Sequence, residues 1–260
     1  MADLEVDVHD SVLRVVFNRP EARNAMTSDM YAGLLEACER ADADPKIRAV
    51  SMRGAGGKAF VAGTDIAQFR GFTGEDGIAY EQTIADTLSR LAMMRKPLLA
   101  FIDGHCVGGG LGLAACADVR VGNPRASFAV PIARTLGNTL NTTTLDVLVQ
   151  GFGESRVRSM LIGARAVRAE EALACGFLTE VSENLDELQD EYEHRISHLA
   201  PLTQWSIKEN LRRLKAAQTS AAESAEPNDS DVVSAVYGSA DFAHAVEAFL
   251  TKQSYEWSGR

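Results

Sequence analysis

Three consecutive glycines follow an apolar segment in the stretch GHCVGGGLGLAACADVR, residues 104–120. A glycine loop leaves backbone N–H groups open to a ligand, because no side chain blocks the approach. Such groups stabilise a carbonyl oxygen that acquires negative charge, and the short helix predicted after Gly112 adds a favourable dipole at its N-terminus. The stretch therefore predicts a backbone site for an oxyanion. Tight packing of a helix against a strand also demands glycine, and this alternative stays open.

Neither glycine-rich loop of the chain matches a nucleotide-phosphate motif in full. The earlier loop, GAGGKAFVAGTDI (54–66), has Met52 where a Walker A loop has its first glycine, and Ala59 where Ser or Thr should follow the lysine. The later loop matches GxGxxA from Gly110 to Ala115, but the helix before the next strand is too short for an ordinary crossover. Val130 stands where an acid would bind a ribose. These departures make a dinucleotide-binding fold the least favoured interpretation.

Composition limits the partners of the chain. Its 260 residues carry a net charge of −10 with a pI near 5, whereas a nucleic-acid surface needs a clustered excess of Lys and Arg. The N-terminal MADLEVDVHD has neither a basic flank nor an apolar segment, and no run approaches the ~20 apolar residues that span a bilayer. We therefore expect a cytoplasmic protein with no nucleic-acid and no membrane partner.

No metal site is predicted from the cysteines and histidines. The chain has no CxxC pair and no metal-ligand spacing among its four cysteines, Cys38, Cys106, Cys116 and Cys175. These residues lie in apolar or Ala-rich settings, which predicts free buried thiols. His194 and His198 are four residues apart on a predicted helix without the Glu of an HExxH motif, which indicates a surface pair.

Strand and helix patterns alternate through the first half of the chain. LEVDV and VLRVVF predict an antiparallel pair, and a helix capped by Thr27 or Ser28 follows. IRAVSMRG, LLAFIDG and ADVRVG predict further strands, and the region from Asp65 to Met94 predicts a helix with a loop near GFTGEDG. From about Gly137 onward the periodicity is almost entirely helical. The pattern predicts an α/β fold with a helical C-terminal part.

Two motifs in this order, AFVAGTDI and GHCVGGGLGLAACADVRV, resemble the crotonase superfamily, also called the enoyl-CoA hydratase/isomerase family. RPEARNAM near the start and AFLTKQSYEWSGR at the end extend the resemblance from about residue 8 to residue 260. It implies a crotonase fold of repeated ββα units. Residues 1–195 would form the core with the site, and residues 196–260 a helical part for trimerisation and pocket cover. It also implies an acyl-CoA substrate, no tightly bound cofactor beyond the coenzyme A of that substrate, and a homotrimer or dimer of trimers.

The resemblance also assigns residues to the site. The two oxyanion-hole donors would be the backbone N–H groups of Thr64 and of Gly109, the middle glycine of the three. Coenzyme A would contact six residues, the last from a neighbouring subunit: Arg23, Ala25, Ala62, Asp65, Ile66 and Lys252. For the side chains of Arg23 and Lys252, a solvated surface charge is the alternative.

Two positions depart from the hydratases of this family. Those enzymes carry one glutamate two residues after the triple glycine and another directly after a proline about twenty residues later. This chain has Gly112 at the first position and Ile132, after Pro131, at the second. Neither residue transfers a proton, so efficient enoyl-CoA hydration by a glutamate pair is not expected.

Relatives with other reactions often place an acid eight to ten residues after the second position, but this window holds Leu140, Asn141 and Thr142. The nearest carboxylate is Asp146. Asn141 belongs to a polar cluster that either binds a substrate headgroup or water, or caps a helix: Asn138, Asn141, Thr142 and Thr143. Asn141 and Asp146 are therefore the candidate catalytic side chains.

Five further polar residues are predicted to lie either beside the acyl group or away from it. The resemblance places the helix that carries Tyr80, Glu81 and Asp86 beside the acyl group. Asp118, at the end of the short helix after the glycines, is predicted to be structural. Alternation along a strand predicts that His105 points away from the glycine loop.

The leading hypothesis is an enzyme that acts on an acyl-CoA thioester and stabilises an enolate or a tetrahedral anion. Without the glutamate pair, isomerisation, decarboxylation or thioester hydrolysis fits the residues better than hydration. The first alternative is a crotonase-fold protein that binds CoA without catalysis, and the second is an NAD(P) oxidoreductase. The intact oxyanion motifs favour the enzyme, whereas the missing glutamates favour the binding protein.

Overall fold

The computed structural model describes residues 2–219, 231, 234–235 and 238–260. Its strands are β1 (Leu4–His9), β2 (Val12–Phe17), β3 (Ala49–Gly54), β4 (Ala59–Ala62), β5 (Leu98–Ile102), β6 (His105–Val107), β7 (Val119–Gly122), β8 (Ser127–Ala129), β9 (Val167–Arg168) and β10 (Glu180–Val181). Its helices are α1 (Ser28–Ala43), α2 (Gly74–Ala92), α3 (Gly109–Ala115), α4 (Thr142–Phe152), α5 (Glu154–Ile162), α6 (Ala169–Ala174), α7 (Leu185–Ser197), α8 (Pro201–Thr219) and α9 (Ala240–Thr251).

The larger sheet has six strands in the order β1-β2-β3-β5-β7-β10. β1 and β2 are antiparallel, as their patterns predict, and the remaining neighbours are parallel. All five residues of β5 are buried, because helices cover both faces of the sheet. One face packs against α7 through Leu188, Tyr192 and Ile196, and the other contributes to the main core with α1 and α2.

The smaller sheet has four strands in the order β4-β6-β8-β9 and directs the two glycine motifs to one place. β4, β6 and β8 are parallel, while the two-residue β9 runs antiparallel to β8. In a parallel sheet the carboxyl ends of neighbouring strands lie at the same edge, where ligands commonly bind. The loops after β4 and β6 therefore emerge together.

The predicted helices are present, and the structure adds three details to the sequence patterns. The N-cap of α1 is Thr27, whose hydroxyl accepts a hydrogen bond from the Met30 N–H at 3.2 Å. The predicted Asp65–Met94 region divides into a short 3-10 helix, Ile66–Phe69, and α2, which begins with a capping box between Thr73 and Asp76. The region after Gly137 was expected to be almost wholly helical, but it also contains β9 and β10. Each of these two strands is a short edge strand of one sheet.

The predicted boundary between residues 195 and 196 falls inside the last turn of α7. α7 covers the larger sheet, and the chain leaves it between Ser197 and Pro201, where α8 begins. α7 therefore belongs with the residues that precede it, and the division of the chain into two functional parts stays a prediction.

Within the described ranges, no helix has both the length and the apolar character needed to cross a lipid bilayer.

Candidate active site

The two predicted oxyanion-hole residues lie side by side. Ala62 and Val107 are opposite each other in the parallel pair β4–β6, and Thr64 and Gly109 each stand two residues further along. A Cβ atom on Gly109 would lie 3.3 Å from Oγ1 of Thr64. The sheet register thus brings the two motifs into contact at the residues that the resemblance assigns.

Glycine turns hold the two loops in this arrangement. Gly63 and Gly108 have φ angles of 87° and 57°, in the left-handed region that favours glycine. A Cβ on Gly108 would lie 3.5 Å from the Cα of Gly63. The first loop is also fixed to Met26, whose N–H donates to the Gly63 carbonyl at 2.9 Å and whose carbonyl accepts from the Asp65 N–H at 2.9 Å.

The N–H groups of Thr64 and Gly109 have no acceptor in the described part of the chain, whereas both neighbours of Thr64 and the residue before Gly109 take part in backbone hydrogen bonds. Gly109 is the first residue of α3, where an N–H group has no intrahelical partner. Two adjacent donors without an acceptor, one at a helix N-terminus, form a suitable site for an oxygen that carries negative charge.

Residues 109 and 110 are glycines because neighbouring atoms of the protein leave little space for a side chain. A Cβ on Gly109 would lie 2.7 Å from the hydroxyl of Tyr31, and a Cβ on Gly110 would overlap the carbonyl oxygen of Val61. Close packing of α3 therefore demands these two glycines, which is the alternative that the sequence left open. Packing does not account for the N–H group of Gly109, which has no acceptor in the described residues and is the group predicted to bind an oxyanion.

Three hydroxyl groups form a chain beside these donors. Oγ1 of Thr64 lies 3.0 Å from Oη of Tyr31 and 2.7 Å from Oη of Tyr80. Burial raises the pKa of Tyr31, and the nearby Tyr80 and Glu81 raise it further. Burial also raises the pKa of Tyr80, again with a contribution from Glu81. Both phenols are therefore neutral at physiological pH.

A cleft of about 930 Å³ opens beside Tyr80, between the first half of α2 and residues 136–143. The rings of Phe69 and Phe72 pack edge-on, with centroids 5.2 Å apart, and Phe69 lies 4.9 Å from the Tyr80 ring. Ile78 and Leu136 add apolar surface at 73% and 45% exposure. The cleft is large enough for an apolar acyl group, and its aromatic wall suits an extended or cyclic chain.

Glu81 is the one carboxylate among the described residues that line this cleft. Its Oε2 atom accepts hydrogen bonds from the backbone N–H and from Nδ2 of Asn141, both at 2.8 Å. Its Oε1 atom has no partner within the described ranges. Asn141 also caps α4, since its side-chain oxygen accepts from the Thr144 N–H at 2.8 Å. Asn141 thus holds Glu81 in place and caps a helix at the same time.

The other two candidate acids lie outside the cleft. Asp146 pairs with Lys215 of α8 at 2.5 Å, and its side chain is 48% exposed. Asp86 accepts a hydrogen bond from Gln82 on the exposed face of α2 at 2.8 Å. The structure does not bring Asp146 together with Thr64 and Gly109, because its position on α4 directs it toward α8.

The two positions that carry glutamate in hydratases, residues 112 and 132, pack against other residues of the protein. Gly112 is buried in α3, where a Cβ would lie 3.3 Å from Leu88 of α2 and 3.8 Å from Thr144 of α4. Ile132 is half-buried after β8 and packs against the main core. A glutamate at residue 112 would need Leu88 to move.

The predicted CoA-binding segments meet at the edge of the smaller sheet. The carbonyl of Arg23 accepts from the Ala62 N–H at 3.1 Å, and the carbonyl of Ala25 accepts from the guanidinium of Arg19 at 2.7 Å. Arg19 also binds the carboxylate of Asp65 at 3.1 Å. These hydrogen bonds therefore connect the predicted CoA-binding segments to one another.

Three of the predicted CoA contacts are exposed. Ile66 follows Asp65 with 58% of its surface exposed, and the side chain of Arg23 is also exposed. Lys252 follows α9 in a left-handed backbone conformation, with φ at 56°. These positions leave the side chains accessible to a nucleotide, so their roles stay predictions.

Residues predicted to be structural have partners outside the cleft. Asp118 accepts from the Leu98 N–H at 2.7 Å and pairs with Lys208. Nδ1 of His105 lies 2.9 Å from the Ser127 hydroxyl, on the neighbouring strand. The rings of His194 and His198 lie on the surface with centroids 4.2 Å apart and planes tilted by 40°. All four cysteines are free, but only Cys38 and Cys106 are buried, since Cys116 and Cys175 are half-buried.

A family model described as enoyl-CoA hydratase/isomerase matches residues 7–260. The chain belongs to the enoyl-CoA hydratase/isomerase family. The chain is thus an enzyme of the crotonase superfamily, and the mixed α/β fold predicted from the motifs is confirmed. The family includes hydratases and isomerases. Membership therefore does not determine which reaction this chain catalyses.

Proteins similar to this chain differ in the reaction that they catalyse. The chain is 33% identical over 209 residues to (E)-benzylidenesuccinyl-CoA hydratase from Thauera aromatica, covering 78% of this chain and 80% of that one. It is 28% identical to methylmalonyl-CoA decarboxylase from Escherichia coli, covering 96% and 95%. A crystal structure of an enoyl-CoA hydratase/carnithine racemase from Magnetospirillum magneticum superposes with a TM-score of 0.90 at 29% identity, covering 100% and 97%.

Tyr31 was not predicted as a site residue, although the sequence carries a signal for it. Tyr31, Leu34 and Cys38 recur on the buried face of α1. A tyrosine on a buried helix face needs a hydrogen-bond partner for its hydroxyl, and that partner is Thr64. The pattern shows that such a partner exists but does not say which residue supplies it.

Proposed function

We propose that this family member stabilises the enolate of an acyl-CoA thioester with the N–H groups of Thr64 and Gly109, and that it isomerises an enoyl group rather than hydrating it. The observation that carries the proposal is the pair of adjacent N–H groups without an acceptor. They are connected to the cleft by Tyr80, which lines it and is hydrogen-bonded to Thr64.

Hydration is the less favoured reaction because it needs a group that activates water and a group that protonates carbon. The two positions that carry these acids in hydratases hold Gly112 and Ile132. Gly112 packs against Leu88 and Thr144, and Ile132 packs against the main core, so neither position supplies a carboxylate to hold a water.

Isomerisation needs only one acid–base group. In the proposed reaction, Oε1 of Glu81 takes a proton from the α carbon of a 3-enoyl thioester, and the charge passes to the thioester oxygen at Thr64 and Gly109. Glu81, whose carboxyl proton exchanges with solvent before transfer, then delivers a proton to the γ carbon, and the double bond moves to the α–β position. No water or other reactant is consumed, so one carboxylate in an apolar cleft is sufficient.

Decarboxylation is the second candidate, since it also produces an enolate and needs no base. Its substrate carries a carboxylate beside the thioester, and the negative charge of Glu81 opposes such a group in this cleft. No Lys or Arg is among the described residues that line the cleft. Thioester hydrolysis has no observation in its favour beyond the shared oxyanion site.

We also propose a homotrimer or a dimer of trimers, assembled in part through α8. Ile207, Leu211 and Leu214 form an apolar stripe on this helix, each between 46% and 61% exposed in the described structure. Contiguous exposed apolar residues favour contact with another protein surface. Sedimentation should give three or six times the chain mass, and a stable monomer would contradict this assembly.

Coenzyme A and acyl-CoA are expected to raise the unfolding temperature of the protein by several degrees at saturating concentration, because they bind only the folded state. NADPH is expected to have no effect, since neither glycine loop matches a dinucleotide site. Thermal denaturation with each ligand at equal concentration checks this. Stabilisation by NADPH alone would contradict the proposed CoA site.

A further inference from the structure

The three hydroxyls around Thr64 carry three protons but share only two strong hydrogen bonds. Tyr31 and Tyr80 each bond to Thr64, at 3.0 and 2.7 Å, and the direct interaction between the two phenols is weaker than either bond. One of the three protons therefore lacks a strong acceptor within the chain. Its position decides which residue donates to a bound molecule.

Two of the three possible positions leave a buried donor without a well-placed acceptor. If the spare proton were on Tyr31, it would lie in a site only 5% exposed and against the backbone of Gly109. If both phenols donated to Thr64, the threonine proton would need a third partner, and none is within hydrogen-bond distance in the described residues. A buried donor without an acceptor is costly, so these arrangements are disfavoured.

The remaining arrangement places the spare proton on Tyr80. Tyr31 donates to Thr64, Thr64 donates to Tyr80, and the Tyr80 hydroxyl is left to donate toward the cleft that it lines. Its oxygen is 2.7 Å from Thr64, one of the two residues with a free backbone N–H.

We propose that the Tyr80 hydroxyl is a third hydrogen-bond donor to the negative charge that develops on the acyl group, and that Tyr31 orients it through Thr64. This inference rests on the proposed function, because it assumes that the two N–H groups bind the thioester oxygen. Tyr80 would be a catalytic residue, and Tyr31 a positioning residue. Since burial keeps both phenols neutral, the hydroxyl supplies a hydrogen bond and not a complete proton transfer.

Acetoacetyl-CoA is a suitable probe, because it forms a stable enolate whose absorbance reports binding in the charged form. Tyr80→Phe is expected to weaken acetoacetyl-CoA binding about 10- to 100-fold, the usual range for a hydrogen bond to a charged group. The affinity for coenzyme A itself should stay within about twofold, since the hydroxyl contacts only the acyl group.

Variants of the two other hydroxyls test the orientation. Tyr31→Phe and Thr64→Val keep the Tyr80 hydroxyl and the backbone N–H groups, so they should weaken acetoacetyl-CoA binding by only a few-fold, about 3 to 10. If Tyr80→Phe fails to fold, these two variants still test the chain. Tyr192→Phe is the matched control: its hydroxyl binds Glu180 at 3.0 Å, away from the cleft, and its loss should change neither affinity.

The outcomes separate this inference from the proposed function. If the wild-type protein binds the enolate of acetoacetyl-CoA well and Tyr80→Phe binds it equally well, Tyr80 is not a donor and the oxyanion site stands without it. If the wild-type protein binds acetoacetyl-CoA no better than coenzyme A and shows no enolate absorbance, the proposed oxyanion site is wrong and this inference with it.

Discussion

Replacing Gly109 by proline in a Tyr31→Phe background is expected to lower turnover of the acyl-CoA substrate about 10²- to 10³-fold, the usual loss for one oxyanion donor. Proline removes the N–H group, yet it is tolerated at the first residue of a helix, which is where Gly109 lies in α3. The Tyr31→Phe change removes the hydroxyl that a Cβ at residue 109 would meet at 2.7 Å.

The matched control for this loss is Gly109→Ala in the same background. Alanine adds a similar Cβ but keeps the N–H group, so the difference between the two double variants reports the hydrogen bond alone. Steady-state kinetics should show the loss in kcat with little change in KM. Equal activity of the alanine and proline variants, both folded by circular dichroism, would show that this N–H group does not take part.

Glu81→Gln is expected to slow exchange of acyl protons with solvent about 10²- to 10⁴-fold, the range for loss of a general base. Glutamine keeps an oxygen that accepts from Asn141, so the local structure should be retained. Proton NMR of an acyl-CoA incubated with the protein in deuterium oxide measures the rate.

Asp86→Asn and Asp146→Asn are the controls for the loss of a carboxylate. Asp86 is on the same helix but faces Gln82 and solvent, and Asp146 pairs with Lys215. Both variants should exchange protons at the wild-type rate. If Glu81→Gln also keeps that rate while Asp146→Asn loses it, the catalytic carboxylate is on α4, as the sequence suggested.

The backbone part of the site could be predicted from the sequence because two local glycine motifs carry the resemblance that assigns Thr64 and Gly109. A strand followed by Gly63 or by Gly108 predicts a loop at the edge of a parallel sheet, and the register of β4 with β6 then aligns Thr64 with Gly109. The short α3 was also predictable, because few residues separate the glycines from the next strand.

The side chains of the site were harder to predict, because their contacts join distant parts of the chain. Glu81 and Asn141 are 60 residues apart, and nothing in either segment indicates the other. Asp146 was the nearest carboxylate by sequence, but the orientation of α4 turns it toward Lys215. Tyr31 was hidden in an ordinary amphipathic pattern, and its role depends on the position of Thr64.

Crotonyl-CoA in deuterium oxide distinguishes an enzyme that forms a thioester enolate from one that adds water to the enoyl double bond. Proton NMR is predicted to show deuterium entering the methyl group, because Glu81 removes a γ proton and the N–H groups of Thr64 and Gly109 hold the resulting dienolate. No 3-hydroxybutyryl-CoA should accumulate, since Gly112 and Ile132 provide no acid for water. Rapid formation of 3-hydroxybutyryl-CoA without deuterium in the methyl group would show that the protein is a hydratase and that Glu81 does not remove the γ proton.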